Sequence, residues 1–191
     1  MDDKQGLTAI HLFAGSGGGL LGGLLLGWRT ACAVEIDPYC REVLVARQND
    51  GTLEPFPIWD DVRTFDGRAW RGRCDVVCGG FPCQDCSPLG RRAGINGKQS
   101  GLWLEMARIV GEARPTWVFA ENSSNLVRLG LDVVLRDLDA LGYDETWLGR
   151  ELARLGGEKD VKKIYLATLT ESGTLTVFPY SDPPKMAENL E

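Results

Sequence analysis

One junction near the start of this chain limits its fold more than any other feature. An apolar run, Leu7 to Ala14, meets the turn Gly15-Ser16-Gly17-Gly18-Gly19, and a short apolar helix from about Leu20 to Leu26 follows, stopping at Gly27. Strand, glycine turn and helix in that order begin a βαβ unit. The alternation then continues. Arg29 to Glu35 reads as a second strand, and Pro38 opens a helix with Val43, Leu44 and Ala46 on its apolar face. Asp75 to Gly79 reads as a buried strand, Leu102 to Ala113 as a helix broken by Pro115, and Trp117 to Glu121 as another strand. Leu131 to Leu141 is a well-patterned helix. Strands alternating with amphipathic stretches predict an α/β fold, a mostly parallel sheet with helices on both faces. Beyond Gly142 the pattern weakens, although Lys163 to Leu169 and Thr174 to Phe178 could pair as strands. No internal repeat or linker divides the chain, so residues 1–180 read as one domain with an acidic, Pro-rich, frayed tail at 181–191.

Composition excludes several classes. The polar, acidic start is no signal peptide, and the apolar run at Leu20 to Leu26 is far shorter than the roughly 18 residues of a membrane span. A cytoplasmic protein with no membrane partner is expected. Net charge of −6 does not advertise nucleic-acid binding, but Arg63, Arg68, Arg71 and Arg73 lie close together, and Arg91, Arg92 and Lys98 follow Cys83. Such an edge could grip phosphate or be plain solvated surface. The six cysteines include the C-x-x-C spacing Cys83-Gln84-Asp85-Cys86, with Cys74 and Cys78 nearby. A zinc site wants two well-separated ligand pairs, whereas Cys74 and Cys78 flank a buried strand, and the sole histidine, His11, sits inside another strand as a core residue. No metal is expected, and a thioredoxin-type centre fits poorly because this C-x-x-C opens a polar loop.

Two sites of chemistry remain. At the first, Gly15, Gly17 and Gly18 allow close backbone approach to a ligand, and Glu35 follows Gly15 by 35 − 15 = 20 residues at a strand end, the spacing of a ribose-binding carboxylate. Counted from Gly15 the full G-x-G-x-x-G is lacking, as is a basic residue for a diphosphate, which favours adenosine without phosphates over NAD. A tight turn beside a surface glutamate is the bland alternative. Asp61, near the end of a third strand, is placed to meet an adenine amino group. At the second site, Gly79-Gly80-Phe81-Pro82-Cys83-Gln84 puts a cysteine just past a strand end, where a thiolate of lowered pKa is a strong nucleophile. Phe119-Ala120-Glu121-Asn122 ends a second strand with a carboxylate. Together they suggest covalent catalysis with an acid partner.

In order along the chain, these segments resemble the catalytic domain of the DNA cytosine-5 methyltransferases. Leu12-Phe13-Ala14-Gly15-Ser16-Gly17-Gly18 is similar to that family's cofactor loop, Glu35-Ile36-Asp37 to its ribose-binding strand end, and Asp61-Val62 to its adenine-contacting pair. Gly80-Phe81-Pro82-Cys83-Gln84 resembles the catalytic motif and Glu121-Asn122 the acidic one; the likeness covers about Leu7 to Tyr143. The resemblance implies a Rossmann-like fold that binds S-adenosyl-L-methionine. Its cofactor contacts would come from Phe13, Ala14, Gly15, Gly17, Gly18, Glu35, Ile36, Asp61 and Val62, with Pro82 and Leu102. It also implies Cys83 as nucleophile toward C6 of a cytosine flipped out of double-stranded DNA, with Glu121 near N3. The polar loop from Gln84 to Ser100 would close over the base.

Three departures from the family pattern follow. Lys163 stands where a base-contacting arginine is expected, with Val161 at a second arginine position, and Gln99 sits where an arginine is common. Lysine keeps the charge and loses the forked donor set. The family's recognition domain and final helix lie beyond Phe178 and find no counterpart here. The expected partner is then DNA, with room for a separate chain carrying the recognition domain, in a bacterial or phage-like cytoplasm at the nucleoid. A catalytically degenerate cofactor- or partner-binding relative is the alternative. An amino-methyltransferase fits less well, because Asp182-Pro183-Pro184 is followed by Lys185 rather than an aromatic residue.

Overall fold

The computed structural model describes residues 6–82, 101–123, 126, 130–154, 164–169 and 175–179. The chain divides into two compact units, Gln5–Leu141 and a second formed by Gly142–Glu191 with Met1–Lys4.

Among its described residues the larger unit has five strands and four helices of defined bounds. In chain order they are β1 (Thr8–Leu12), α1 (Gly18–Leu25), β2 (Arg29–Val34), α2 (Pro38–Asn49), β3 (Ile58–Trp59), β4 (Val76–Gly80), α3 (Gly101–Ala113), β5 (Trp117–Glu121) and α4 (Leu131–Ala140). Two short 3-10 turns, Val62–Thr64 and Gly67–Trp70, lie between β3 and β4. The sheet runs β3-β2-β1-β4-β5 and every neighbouring pair is parallel. The chain therefore winds outward from β1 to β3, returns to the other side of β1 and winds outward again. That reversal leaves a crevice at the carboxyl ends of β1 and β4, where sheets of this kind bind ligands.

Hydrophobic burial holds the sheet. Ala9, Ile10, Leu12, Ala33, Val34, Val76 and Val77 are almost wholly shielded, as near-continuous apolar strands covered on both faces should be. Leu20 of α1 and Leu44 of α2 join Ala33, Leu53 and Phe56 in one cluster. On α3, Trp103, Met106, Ile109, Val110 and Ala113 recur at helical spacing and are fully buried. Each large apolar side chain there contributes about 1.5–3 kcal/mol. The Trp103 indole satisfies its N–H by donating to Asp137 Oδ2 of α4 at 2.9 Å.

Local chemistry sets the element ends. Pro38 occupies the first turn of α2, and Asp37 caps it by accepting from Cys40 N at 3.0 Å. After α1, Gly27 takes φ 72° and Trp28 N donates to Gly23 O at 2.8 Å, so the helix stops at the predicted glycine. β1 is shorter than its apolar run because Phe13 leaves the strand at φ 54°. His11 is buried in β1, and its Nδ1 lies 3.1 Å from Cys78 Sγ of β4, its cross-strand neighbour.

The smaller unit contains α5 (Glu145–Arg154) and the antiparallel pair β6 (Ile164–Leu169) and β7 (Leu175–Pro179). The pair matches the two strands expected there, whereas α5 was not foreseen. No helix among the described residues is long and apolar enough to cross a membrane.

Candidate active site

The glycine turn after β1 is built around one carboxylate. Glu35, immediately past β2, is only 8% exposed. Its Oε2 accepts from Gly15 N at 2.7 Å and its Oε1 from Asp37 N at 2.8 Å. One side chain thus ties the turn after β1 to the turn after β2, through charge-assisted bonds to backbone amides. Ala14 N adds a bond to Val34 O at 3.1 Å. Gly17 has φ 92°, and a Cβ there would come within 2.9 Å of the Leu44 side chain, so only glycine lets the turn sit down on α2. Beyond Glu35, Ile36 is 61% exposed, an apolar face presented to solvent beside the carboxylate.

Asp61 follows β3 and caps the first 3-10 turn. Its Oδ1 accepts from Arg63 N at 3.0 Å and Arg63 Nε at 2.9 Å, and its Oδ2 from Arg63 Nη2 at 2.8 Å. The Arg63 hydrogen bonds hold the Asp61 carboxyl below its usual range. Val62 is buried, and its carbonyl accepts from Arg108 Nη2 of α3 at 2.8 Å. Arg108 also donates to Phe65 O at 3.0 Å and pairs with Glu105 and Glu112, while Glu112 accepts from Gly67 N at 2.9 Å. The helix that opens with Gly101-Leu102 is therefore fastened to the turn carrying Asp61-Val62. Leu102 itself is half-buried in the first turn of α3.

At the other side of the crevice, β4 and β5 end together. Gly80 is the register partner of Glu121, and a Cβ on Gly80 would lie 2.6 Å from Glu121 Oε2. Asn122 Nδ2 donates to Phe81 O at 2.7 Å, tying the start of the Phe81-Pro82 segment to the end of β5. Phe81 is buried against Trp103, with ring centroids 5.3 Å apart, whereas Pro82 and Glu121 are exposed. Cys83, one residue further on, lies outside the described residues, as do Gln99, Val161 and Lys163.

The sequence-predicted cofactor residues Phe13, Ala14, Gly15, Gly17, Gly18, Glu35, Ile36, Asp61, Val62 and Pro82 all sit at or just past the carboxyl ends of β1 to β4, and Leu102 opens α3. Three supporting residues escaped the sequence reading. Arg41 Nη1 donates to Glu35 O at 3.0 Å and to Ile36 O at 2.6 Å, fixing the turn that carries both. Arg63 and Arg108 are the others. The i, i+4 spacing of Arg108 and Glu112 was a visible signal for an ion pair, but nothing in the sequence showed that carbonyls of a distant turn would share it. Part of the basic edge is also accounted for, while Arg91, Arg92 and Lys98 lie outside the described residues. Arg63 pairs with Asp61, Arg68 pairs with Asp66 at 2.9 Å, and Arg71 Nε donates to Glu112 O at 3.0 Å. Those three arginines serve internal partners, which weighs against the phosphate reading.

Neither cysteine near the catalytic motif that the structure describes is an activated thiol. Burial pushes Cys74 up to about 11 and Cys78 up to about 12. Among the described residues no group of three or more His, Cys, Asp or Glu side chains could hold a metal ion.

Comparison with known proteins agrees with this geometry. The family model for C-5 cytosine-specific DNA methylase matches residues 7–149. The chain is 31% identical over 148 residues to the type II methyltransferase M.PspPI of Psychrobacter sp. (strain TA137), covering 75% of this chain and 34% of that protein. It is 35% identical over 141 residues to M.CviJI of Paramecium bursaria Chlorella virus IL3A, covering 73% and 36%. M2.BsuMI of Bacillus subtilis is 32% identical over 193 residues, covering 93% and 46%. The chain thus spans between a third and a half of these relatives' length. The crystal structure of the Dnmt2 methyltransferase of S. pombe superposes with a TM-score of 0.51 at 19% identity over 71% of this chain and 41% of that one, a likeness of fold. By the family match and these identities, the chain belongs to the C-5 cytosine-specific DNA methylases.

Proposed function

We propose that this chain is the catalytic portion, reaching to about residue 180, of an enzyme that methylates C5 of cytosine in double-stranded DNA. The observation that carries the reading is the convergence of two ends of one crevice. The Glu35-clamped glycine turn lies at one end, and the paired termini of β4 and β5, with Gly80 beside Glu121, lie at the other.

The residues present fit an adenosine group without phosphates. Glu35 uses one acceptor position on each oxygen for a backbone amide, which leaves a second on each for ribose hydroxyls. Ile36 offers an apolar face to a purine ring, and Asp61 an acceptor for its exocyclic amine. Phe13, Ala14, Gly15, Gly17, Gly18, Val62, Pro82 and Leu102 would complete the enclosure. Bound there, S-adenosyl-L-methionine supplies an electrophilic methyl group.

The protein's own residues do the rest. Cytosine C5 is a poor nucleophile until the ring is activated. The Cys83 thiolate adds to C6, forming an S–C6 bond and moving the ring electrons toward C5 and N3. Glu121, as a hydrogen-bond or proton donor near N3, would stabilise the charge growing there. After methylation, loss of the C5 proton to a base expels the Cys83 thiolate and restores aromaticity. Addition from the ring face requires that the base leave the stack. DNA grip would come mainly from the portion that the relatives carry beyond this chain, in the same polypeptide or in a separate one. Lys163 is proposed as a contact to the flipped base. The setting would be a bacterial or phage-infected cytoplasm.

The test is adduct formation. This chain, together with a chain supplying the recognition portion of a relative, is incubated with cofactor and a duplex containing 5-fluorocytosine. A denaturation-resistant protein–DNA adduct is expected, since fluorine cannot leave as a proton does. Cys83→Ser should form none; an adduct that persists in that variant would overturn the assignment.

A further inference from the structure

Arg63 supports the turn by holding the Asp61 carboxylate at both oxygens. Its guanidinium fork takes one lone pair on each Asp61 oxygen, with Nε at 2.9 Å from Oδ1 and Nη2 at 2.8 Å from Oδ2. Its own backbone amide takes the second position on Oδ1 at 3.0 Å. Nε also reaches Oδ2 at 3.1 Å, the longer branch of a shared bond. A carboxylate has about four acceptor positions, and since Nε is shared between the two oxygens the opening left for a further donor is on Oδ2. The carboxylate plane is fixed as well, because a bidentate fork and a backbone amide constrain it together.

The surrounding turn does not depend on that fork. Trp59 Nε1 donates to Thr64 Oγ1 at 3.0 Å, Thr64 Oγ1 donates to Asp61 O at 3.0 Å, and Thr64 N donates to the same carbonyl at 3.0 Å. From the far side, Arg108 holds the Val62 carbonyl. The backbone at Asp61 is thus braced by the turn itself, while Arg63 sets only where the carboxylate points. Exposed ion pairs ordinarily contribute little, but the bidentate Arg–carboxylate geometry is the exception.

We infer that Arg63 is a positioning residue for base recognition at the cofactor site. It leaves Asp61 one fixed acceptor, which suits the 6-amino group of adenine and repels the 6-oxo group of hypoxanthine. The inference rests on the reading of Asp61 as the adenine contact. Without Arg63 the carboxylate would rotate and rehydrate, and both affinity and amino-over-oxo preference would fall together. Lysine should not restore them, since it returns the charge without the fork.

The experiment titrates the full chain with S-adenosylhomocysteine and with its 6-oxo counterpart, S-inosylhomocysteine, followed by calorimetry and by ligand NMR at millimolar concentration. Wild type should prefer the amino form. Arg63→Ala and Arg63→Lys should each weaken adenosyl binding about three- to tenfold, and the preference should narrow by a similar factor. A variant merely loosened in structure would weaken both ligands equally and leave the preference intact. If Asp61→Ala abolishes the preference while both Arg63 variants keep wild-type affinity and preference, the role of Arg63 is wrong and the Asp61 contact stands. If Asp61→Ala leaves the preference untouched, or wild type binds neither ligand, the adenine contact itself falls and this inference falls with it.

Discussion

Glu35 and Glu121 each stand at the carboxyl end of a strand in one parallel sheet, and their surroundings are opposite. Glu35 is buried, both its oxygens engaged by backbone amides of two different turns. Glu121 is exposed, its carboxylate beside Gly80, whose missing side chain makes the room. The first carboxylate is part of the scaffold and shapes the turn it serves before any ligand arrives. The second is held at its backbone by the β4 pairing while the residue stays exposed, which suits the proposed contact with a substrate. Burial and a backbone amide on each oxygen make a carboxylate a fixture; exposure at a strand end leaves it available.

Replacing each glutamate by alanine should separate these roles. Glu121→Ala is expected to leave cofactor affinity within about twofold and to lower the methyl-transfer rate about 10²- to 10³-fold, the effect of losing one charge-stabilising donor. Single-turnover rates beside calorimetric affinities would show this, and a matching loss of affinity would erase the distinction. Glu35→Ala should do the reverse. It strands the amides of Gly15 and Asp37 and removes the ribose acceptors, so cofactor affinity should drop about a hundredfold, near 2.7 kcal/mol. The unfolding midpoint in urea should fall as well. If cofactor affinity fell less than threefold, Glu35 would be a structural clamp and nothing more.

The difference between the two regions also governs what the sequence could reveal. Glu35 was legible because spacing carries it: a glycine turn, then a carboxylate at the next strand end. Glu121 was legible from its place at the end of an apolar run. The parallel sheet followed from the alternation of elements, and β1, β2, β4 and β5 fell where the apolar runs are, whereas the strand order came only with the structure. The supporting arginines were not legible. Arg41, Arg63 and Arg108 act on backbone carbonyls or on a carboxylate two residues away, and such contacts depend on turn geometry that has no period to detect. For Arg63, Arg68 and Arg71 the sequence left a phosphate grip and plain solvated surface both open, and only the structure shows their internal partners. Helix α5 escaped although its stretch, Glu145 to Arg154, sets Trp147, Leu148 and Leu152 at helical spacing, because it adjoins no clear strand pattern.

His11 offers the smallest effect, and it bears on both regions at once. It lies under the crevice in β1, two residues before the glycine turn begins at Phe13, and contacts Cys78 of β4, two residues before Gly80. Burial lowers its imidazole to about 4, and the neighbouring Cys78 thiol, pushed up to about 12, offers no charge to offset a proton. The imidazole Nε2 is buried without a hydrogen-bond partner among the described residues, facing the α1 side near Gly23 and the Trp28 ring. The folded state therefore binds this proton less readily than the unfolded chain, whose histidine titrates near 6.5. Stability from this residue is complete above about pH 6.5 and is lost as the pH falls toward 4. Between pH 7 and pH 5 the loss should be about 2 kcal/mol, read as a lower urea midpoint followed by tryptophan fluorescence. Asp61 and Asp66 titrate below this window, their carboxyls held low by Arg63 and Arg68, so they do not contribute to it. His11→Asn should flatten the dependence whatever its own stability. An unchanged slope in that variant would place the acid sensitivity elsewhere. A slope that vanishes would mean that one buried imidazole, shared between β1 and β4, sets the acid limit for the cofactor turn and the catalytic strand end together.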